Sequence, residues 1–210
     1  MSGALGQPAF LALTGGVLGA VLHRPGQRVV ARFTDPPPSL GRMALLSTAA
    51  FVAAALACGP HLHLLALLWA AAFAVPLALV DLAEHRLPRA LTYPSALGTL
   101  LLLGAAAGLG DRSGSALRAL ECAVGLWAVF WLMSWLWPFG AGDATLGVTV
   151  GAVLGWYGFG SLFEGVFLGF LLAALYGAGK LVARRAGRRD ELPFGPFLLL
   201  GVLLAVALSS

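Results

Sequence analysis

The sequence predicts an all-α protein that crosses a membrane several times. Its 210 residues are 60% hydrophobic and only 10% charged, and the mean hydropathy is +0.90. A water-soluble domain of this length exposes too much of its surface to hide so many apolar side chains. The apolar runs are long and continuous rather than alternating, which is typical of membrane helices and not of membrane strands.

Eight apolar segments are predicted to be membrane spans. They lie at about 4–22, 43–57, 62–82, 91–108, 116–137, 144–158, 161–182 and 194–208. Pro76 interrupts the third span and is expected to kink it about one turn before Asp81. We treat residues 1–210 as a single integral membrane domain. Its predicted cytoplasmic loops lie at about 23–42, 83–90, 138–143 and 183–192.

The distribution of basic residues predicts the orientation. If the N-terminus is outside, these four loops, together with Lys180 near the cytoplasmic end of span seven, hold all but two of the 13 Lys and Arg residues, the exceptions being Arg112 and Arg118. An excess of Lys and Arg marks the cytoplasmic side of a membrane protein. Because the basic residues lie in loops beside spans, they indicate contact with lipid headgroups and not with nucleic acid. The same arrangement places Asp81 and Asp143 at one membrane edge, the cytoplasmic one.

Small residues recur at four-residue spacing in two consecutive spans. Such ridges let membrane helices approach closely. We therefore expect spans six and seven to pack tightly against each other. The residues concerned are Gly147, Gly151 and Gly155 in span six, and Gly165, Gly169, Ala173 and Gly177 in span seven.

The two acids at the membrane edge are the candidate catalytic residues. A charged side chain at membrane depth normally faces a protein interior or a watery cavity. Two carboxyls in a low-dielectric site share one proton, so one can activate water while the other hydrogen-bonds a carbonyl. Gly140 and Gly142 precede Asp143 and permit close approach of a backbone. Either acid alone is explained as a helix cap, but the pair with its glycine turn favours catalysis.

The residues around both acids resemble the motifs of the prepilin peptidases. Segment 80–92 (VDLAEHRLPRALT) is similar to the family's first aspartate motif, and segment 140–143 (GAGD) to its second. The second motif is shared more loosely with presenilin-type intramembrane proteases. Segment 193–196 (PFGP) is similar to the stretch that opens the family's last span, and segment 16–24 weakly resembles the end of its first span.

The resemblance implies a membrane aspartic endopeptidase in which Asp81 and Asp143 are catalytic. Its substrates would be type IV prepilin or pseudopilin-like proteins, whose basic leader is removed at the cytoplasmic face of the bacterial inner membrane. Gly140 and Gly142 would line the substrate site, and neither a cofactor nor a metal is expected. The oligomeric state is not specified.

Three departures from the family pattern qualify this expectation. Thr145 stands where the family usually has Lys, and Arg89 stands where it has Asp or Asn. Family substrates commonly carry a Glu shortly after the cut. We expect Thr145 and Arg89 to lie in the substrate site, with Arg89 supplying the missing positive charge. Segment 23–42 lacks the zinc-binding cysteines of many members, which accompany N-methylation, so methyltransferase activity is not expected.

Two other functions stay open from the sequence. A transport or assembly protein without enzymatic activity could use Asp81 and Asp143 as an ion relay. The third hypothesis is an inactive relative of the peptidases, suggested by Thr145. The position of both acids at one membrane edge favours the peptidase, because a relay tends to lie near the middle of the membrane.

Cys58 and Cys122 have no metal-type spacing.

Overall fold

The computed structural model describes residues 6–136, 140–183 and 193–209, and within these ranges its regular structure is entirely helical. The all-α prediction is therefore confirmed for this part of the chain. Its helices are α1 (Gly6–Val30), α2 (Leu40–Cys58), α3 (Leu64–Glu84), α4 (Arg89–Gly108), α5 (Ala116–Leu136), α6 (Ala141–Tyr157), α7 (Phe159–Val182) and α8 (Gly195–Ser209).

Helices α2, α3, α4, α5 and α7 are long and apolar enough to cross a membrane, and α8 is apolar but shorter. Large apolar side chains point outward along them, including Leu101, which is 63% exposed, and Phe163, which is 74% exposed. An outward apolar surface is what a lipid environment requires, whereas a soluble bundle would bury it. These helices support the prediction of a multi-pass membrane protein. The count of eight spans and the external N-terminus stay predictions.

Helix α1 is longer than the predicted first span. It continues past residue 22 through Pro25 and ends at Val30, although proline removes one helical hydrogen bond. The cause is apolar packing beyond the first apolar run: Val30 is fully buried in one cluster with Met43 and Val80. The irregular part of the predicted 23–42 loop is therefore residues 31–39.

The glycine ridges pack differently from the prediction. A Cβ atom at Gly151 of α6 would overlap the carbonyl oxygen of Cys122 in α5. A Cβ at Gly169 of α7 would lie 2.9 Å from the Cα of Leu198 in α8. The expected tight α6–α7 pairing is therefore wrong: the closest backbone approaches of these helices are to α5 and α8. A ridge of small residues shows where another helix can approach closely, but it does not determine which helix packs there.

A buried polar cluster joins the helices at the end of the bundle remote from Asp81. His63, which precedes α3, is 1% exposed. Its Nδ1 lies 3.0 Å from Oδ2 of Asp111, and its Nε2 lies 3.0 Å from the hydroxyl of Tyr157 and 3.1 Å from Sγ of Cys58. The backbone N–H of His63 also donates to Asp111, at 3.0 Å. The cluster thus ties α2, α3 and α6 to the loop between α4 and α5.

The protonation states of this cluster follow from burial and hydrogen bonding. Burial lowers the pKa of His63 below its ordinary value of 6.5, although the neighbouring Asp111 opposes the shift. Burial alone would raise the pKa of Asp111, but hydrogen bonds from Ser113 and His63 hold it well below its usual range. At neutral pH, His63 is therefore neutral and donates from Nδ1 to an ionised Asp111.

We predict that acidification below pH 6.5 destabilises the fold through His63. The unfolded chain takes up a proton on His63 near its ordinary pKa of 6.5, whereas the folded chain binds it only at lower pH. Protons therefore favour the unfolded state in this window. In His63→Gln, the thermal midpoint in detergent should fall at pH 7.5 and depend less on pH between about 6.5 and 5. His61→Gln, which changes an exposed neighbour, is the control, and an unchanged pH slope in His63→Gln would contradict the account.

Candidate active site

Helix α3 carries Asp81 one turn before its end and buries it. The side chain is 4% exposed, and its Oδ2 accepts a 2.8 Å hydrogen bond from the backbone N–H of Gly195. The helix ends at Glu84: the N–H of His85 makes the last helical bond, to the carbonyl of Asp81 at 2.9 Å, and the left-handed backbone of His85 (φ 50°) turns the chain out of the helix. Asp81 is therefore a buried carboxyl directed at the start of α8, not a solvated side chain in headgroup water.

Helix α6 carries Asp143 in its first turn. The sequence placed this residue at the end of loop 138–143, but α6 begins at Ala141, and residues 137–139 lie outside the described residues. Oδ2 of Asp143 accepts the N–H of Gly140 at 3.1 Å, and the N–H of Asp143 donates to the carbonyl of Gly140 at 3.0 Å. The capping role considered for a single acid thus applies to Asp143. This cap involves one of the two carboxyl oxygens of Asp143, Oδ2.

The structure brings the two acids together. Leu87 lies close to Asp81, since a Cβ at Gly195 would be 3.0 Å from Oδ2 of Asp81 and 3.6 Å from Cδ2 of Leu87. Leu87, which lies in the loop after Asp81, also contacts the first turn of α6, where Asp143 lies. A Cβ at Gly142 would lie 2.7 Å from both the Cβ and the carbonyl oxygen of Leu87. Glycine at position 142 is therefore required for the start of α6 to meet this loop.

The other two predicted substrate residues lie differently. Thr145 is two residues beyond Asp143 on the same helix, so its side chain points roughly 200° around the axis from the acid. Arg89 is the first residue of α4, is exposed, and follows Leu87 by two positions. The structure thus sets Arg89 beside the loop that contacts Gly142 and sets Thr145 on another face of α6.

Gly195 and Leu87 are the site residues that sequence reasoning missed. From the sequence, the PFGP segment indicates only a family similarity, yet it provides the N–H that binds Asp81. Its Phe194 packs on Phe170 of α7, with ring centroids 4.7 Å apart, which fixes the start of α8. A glycine followed by proline at a predicted helix start was the available signal, since it marks an amide that close neighbours can reach.

The chemistry open to this arrangement is proton transfer between two carboxyls and water. One carboxyl is deeply buried and the other partly exposed, and each is oriented by a glycine N–H. Such a pair can share a proton and activate a water molecule. Within the described part of the chain, no group of three or more His, Cys, Asp and Glu side chains could hold a metal. That no metal is needed stays a prediction.

The fold and the site define a multi-pass helical membrane protein with a pair of acids at one end of its bundle. Over 167 residues, or 77% of its length, the chain is 32% identical to the prepilin leader peptidase/N-methyltransferase of Aeromonas hydrophila. Over 137 residues, or 63% of its length, it is 32% identical to the protein of the same name from Aeromonas salmonicida strain A449. These relatives confirm the resemblance of the chain to the prepilin peptidase family.

The chain corresponds to only part of these relatives. The matched segments span 56% of the Aeromonas hydrophila protein and 45% of the Aeromonas salmonicida protein. No family model matches the chain. No solved structure matches it either.

Proposed function

We propose that the protein is a membrane aspartic endopeptidase that removes the leader peptide of type IV prepilin or pseudopilin-like proteins. Cleavage would take place at the cytoplasmic face of the bacterial inner membrane. The observation that carries this proposal is the convergence of Asp81 and Asp143, from separate helices, at one end of the bundle. The names of the relatives, which are leader peptidases, support the same reaction for this chain.

In the proposed reaction the two carboxyls share one proton. The ionised carboxyl takes a proton from water, and the resulting hydroxide attacks the carbon of the scissile carbonyl. The protonated carboxyl hydrogen-bonds the carbonyl oxygen as negative charge develops there. When the tetrahedral intermediate collapses, the C–N bond breaks and the leaving amine receives a proton from the pair. The shared proton is thereby restored.

The two glycines of the second motif have different proposed roles. Gly140 is exposed beside the partly exposed Asp143, so we assign it to the side from which a substrate backbone approaches. Gly142 faces Leu87 of the chain itself and leaves no room there for a substrate. Its role is to let α6 reach the loop after Asp81. We restrict the proposal to cleavage and do not extend it to N-methylation, because segment 23–42 has no cysteine.

We predict that Asp81→Asn and Asp143→Asn each lower leader cleavage by at least about 100-fold, because each removes one half of the acid pair. The double variant should be no worse than the more impaired single variant, since residues that act as a unit do not add. The measurement is co-expression with a prepilin-like protein and a gel assay for loss of the leader. Glu84→Gln, which changes an exposed acid three residues after Asp81, is the matched control.

Three outcomes would count against the proposal. Near-normal cleavage by either aspartate variant would remove that residue from the mechanism. Equal losses in Glu84→Gln would point to a general effect of charge at this membrane edge. A wild-type protein that leaves the leader intact would favour the ion relay or the inactive relative.

We propose further that Arg89 recognises an acidic side chain near the cut. Arg89→Ala should lower cleavage of a substrate with Glu at that position by about two- to fivefold, the size of an exposed ion pair. It should have little effect once this Glu is changed to Ala, because the two charges are then already uncoupled. Arg112→Ala, at an exposed position in another loop, is the control. Equal effects of Arg89→Ala on both substrates would show that Arg89 makes no such contact.

A further inference from the structure

The amide of Gly195 makes a long-range hydrogen bond to the acid pair. It lies 114 residues from Asp81 in the chain, is buried, and donates to Oδ2 at 2.8 Å. The first N–H groups of a helix have no partner within the helix, and the next residue, Pro196, has no N–H at all. Asp81 of α3 thus satisfies the amide that opens α8, and that amide in turn supplies Asp81 with a hydrogen-bond donor inside the bundle.

The position of this donor is fixed by packing on its other side. A Cβ at Gly201 would overlap the carbonyl oxygen of Gly165, so α8 and α7 are in backbone contact. Before Gly195, the ring of Phe194 packs on Phe170. The amide therefore belongs to a helix start that is held in place by packing.

The space at Gly195 is too small for a side chain without a shift. A Cβ there would lie 3.0 Å from Oδ2 and 3.5 Å from Cγ of Asp81, and 3.6 Å from Cδ2 of Leu87. The first of these contacts is shorter than ordinary van der Waals separation, so the carboxyl would have to move by a few tenths of an ångström. Glycine at position 195 is what allows the amide and the carboxyl to meet.

We infer that Gly195 is a positioning residue of the acid pair, whose N–H fixes Oδ2 of Asp81 so that its other oxygen faces the shared proton and the attacking water. A hydrogen bond to an ionised carboxyl also stabilises the charge that the reaction requires on the pair. Helix α8 is then the third structural element of the site, beside α3 and α6. This inference rests on the proposed peptidase function.

The test compares three glycine-to-alanine variants in the cleavage assay. Gly195→Ala should lower kcat by about tenfold or more, with KM and the thermal midpoint close to those of the wild type. Gly179→Ala, in α7, is the matched control, since its Cβ would meet nothing within 4 Å. Gly201→Ala is the structural control and should lower the thermal midpoint, because its Cβ would overlap α7.

The pH profile separates positioning from general damage. In Gly195→Ala the low-pH limb of the rate should move to higher pH, because the ionised form of Asp81 loses part of a hydrogen bond. Loss of folded protein would instead lower the rate by the same factor at every pH.

If Gly195→Ala matches Gly179→Ala in rate and profile, or if its rate falls only together with its thermal midpoint, Gly195 is not a positioning residue. The peptidase proposal would stand in either case, since the wild type still cleaves. If the wild type does not cleave, the peptidase proposal fails first and this inference falls with it.

Discussion

The constraint on which the rest of the structure depends is the burial of the Asp81 carboxyl within an apolar helix. A buried carboxyl needs hydrogen-bond donors, and few are available among membrane helices, whose amides are used internally. A helix start is the nearest source, and the chain brings the start of α8 to Asp81 through Gly195. The start of α6 reaches the loop after Asp81 through Gly142. Two glycines at helix starts therefore explain how α6 and α8 converge on α3.

Polar side chains are paired differently at the two ends of the helix bundle. At the remote end, His63 and Asp111 are matched as donor and acceptor, so the cluster there is closed and structural. At the other end, two acids share a site in which each accepts a glycine N–H, and one of them is partly exposed. Two neighbouring carboxyls favour retention of a proton. That asymmetry is the physical reason for placing the chemistry at the end with Asp81.

Composition and hydropathy were sufficient to predict an all-α membrane protein, because membrane burial demands long apolar helices. The distribution of basic residues also predicted that Asp81 and Asp143 lie at the same membrane edge. The partners of the glycine ridges could not be predicted, since helices of similar composition compete for them. The same holds for His63 and Gly195, whose partners lie 48 and 114 residues away in the chain. Local patterns reveal which residues are unusual, and tertiary packing decides what those residues meet.

The most direct test of the central claim is a crosslink between the two acid positions. In Asp81→Cys/Asp143→Cys, a short bifunctional thiol reagent should join the two positions within one chain, and mass spectrometry of the peptides should identify the bridge. The pair Asp81→Cys/Arg112→Cys, with the second cysteine in the loop between α4 and α5, should not be joined. A crosslink confined to the first pair is the predicted result. Failure of that pair to crosslink in folded protein would contradict a shared site.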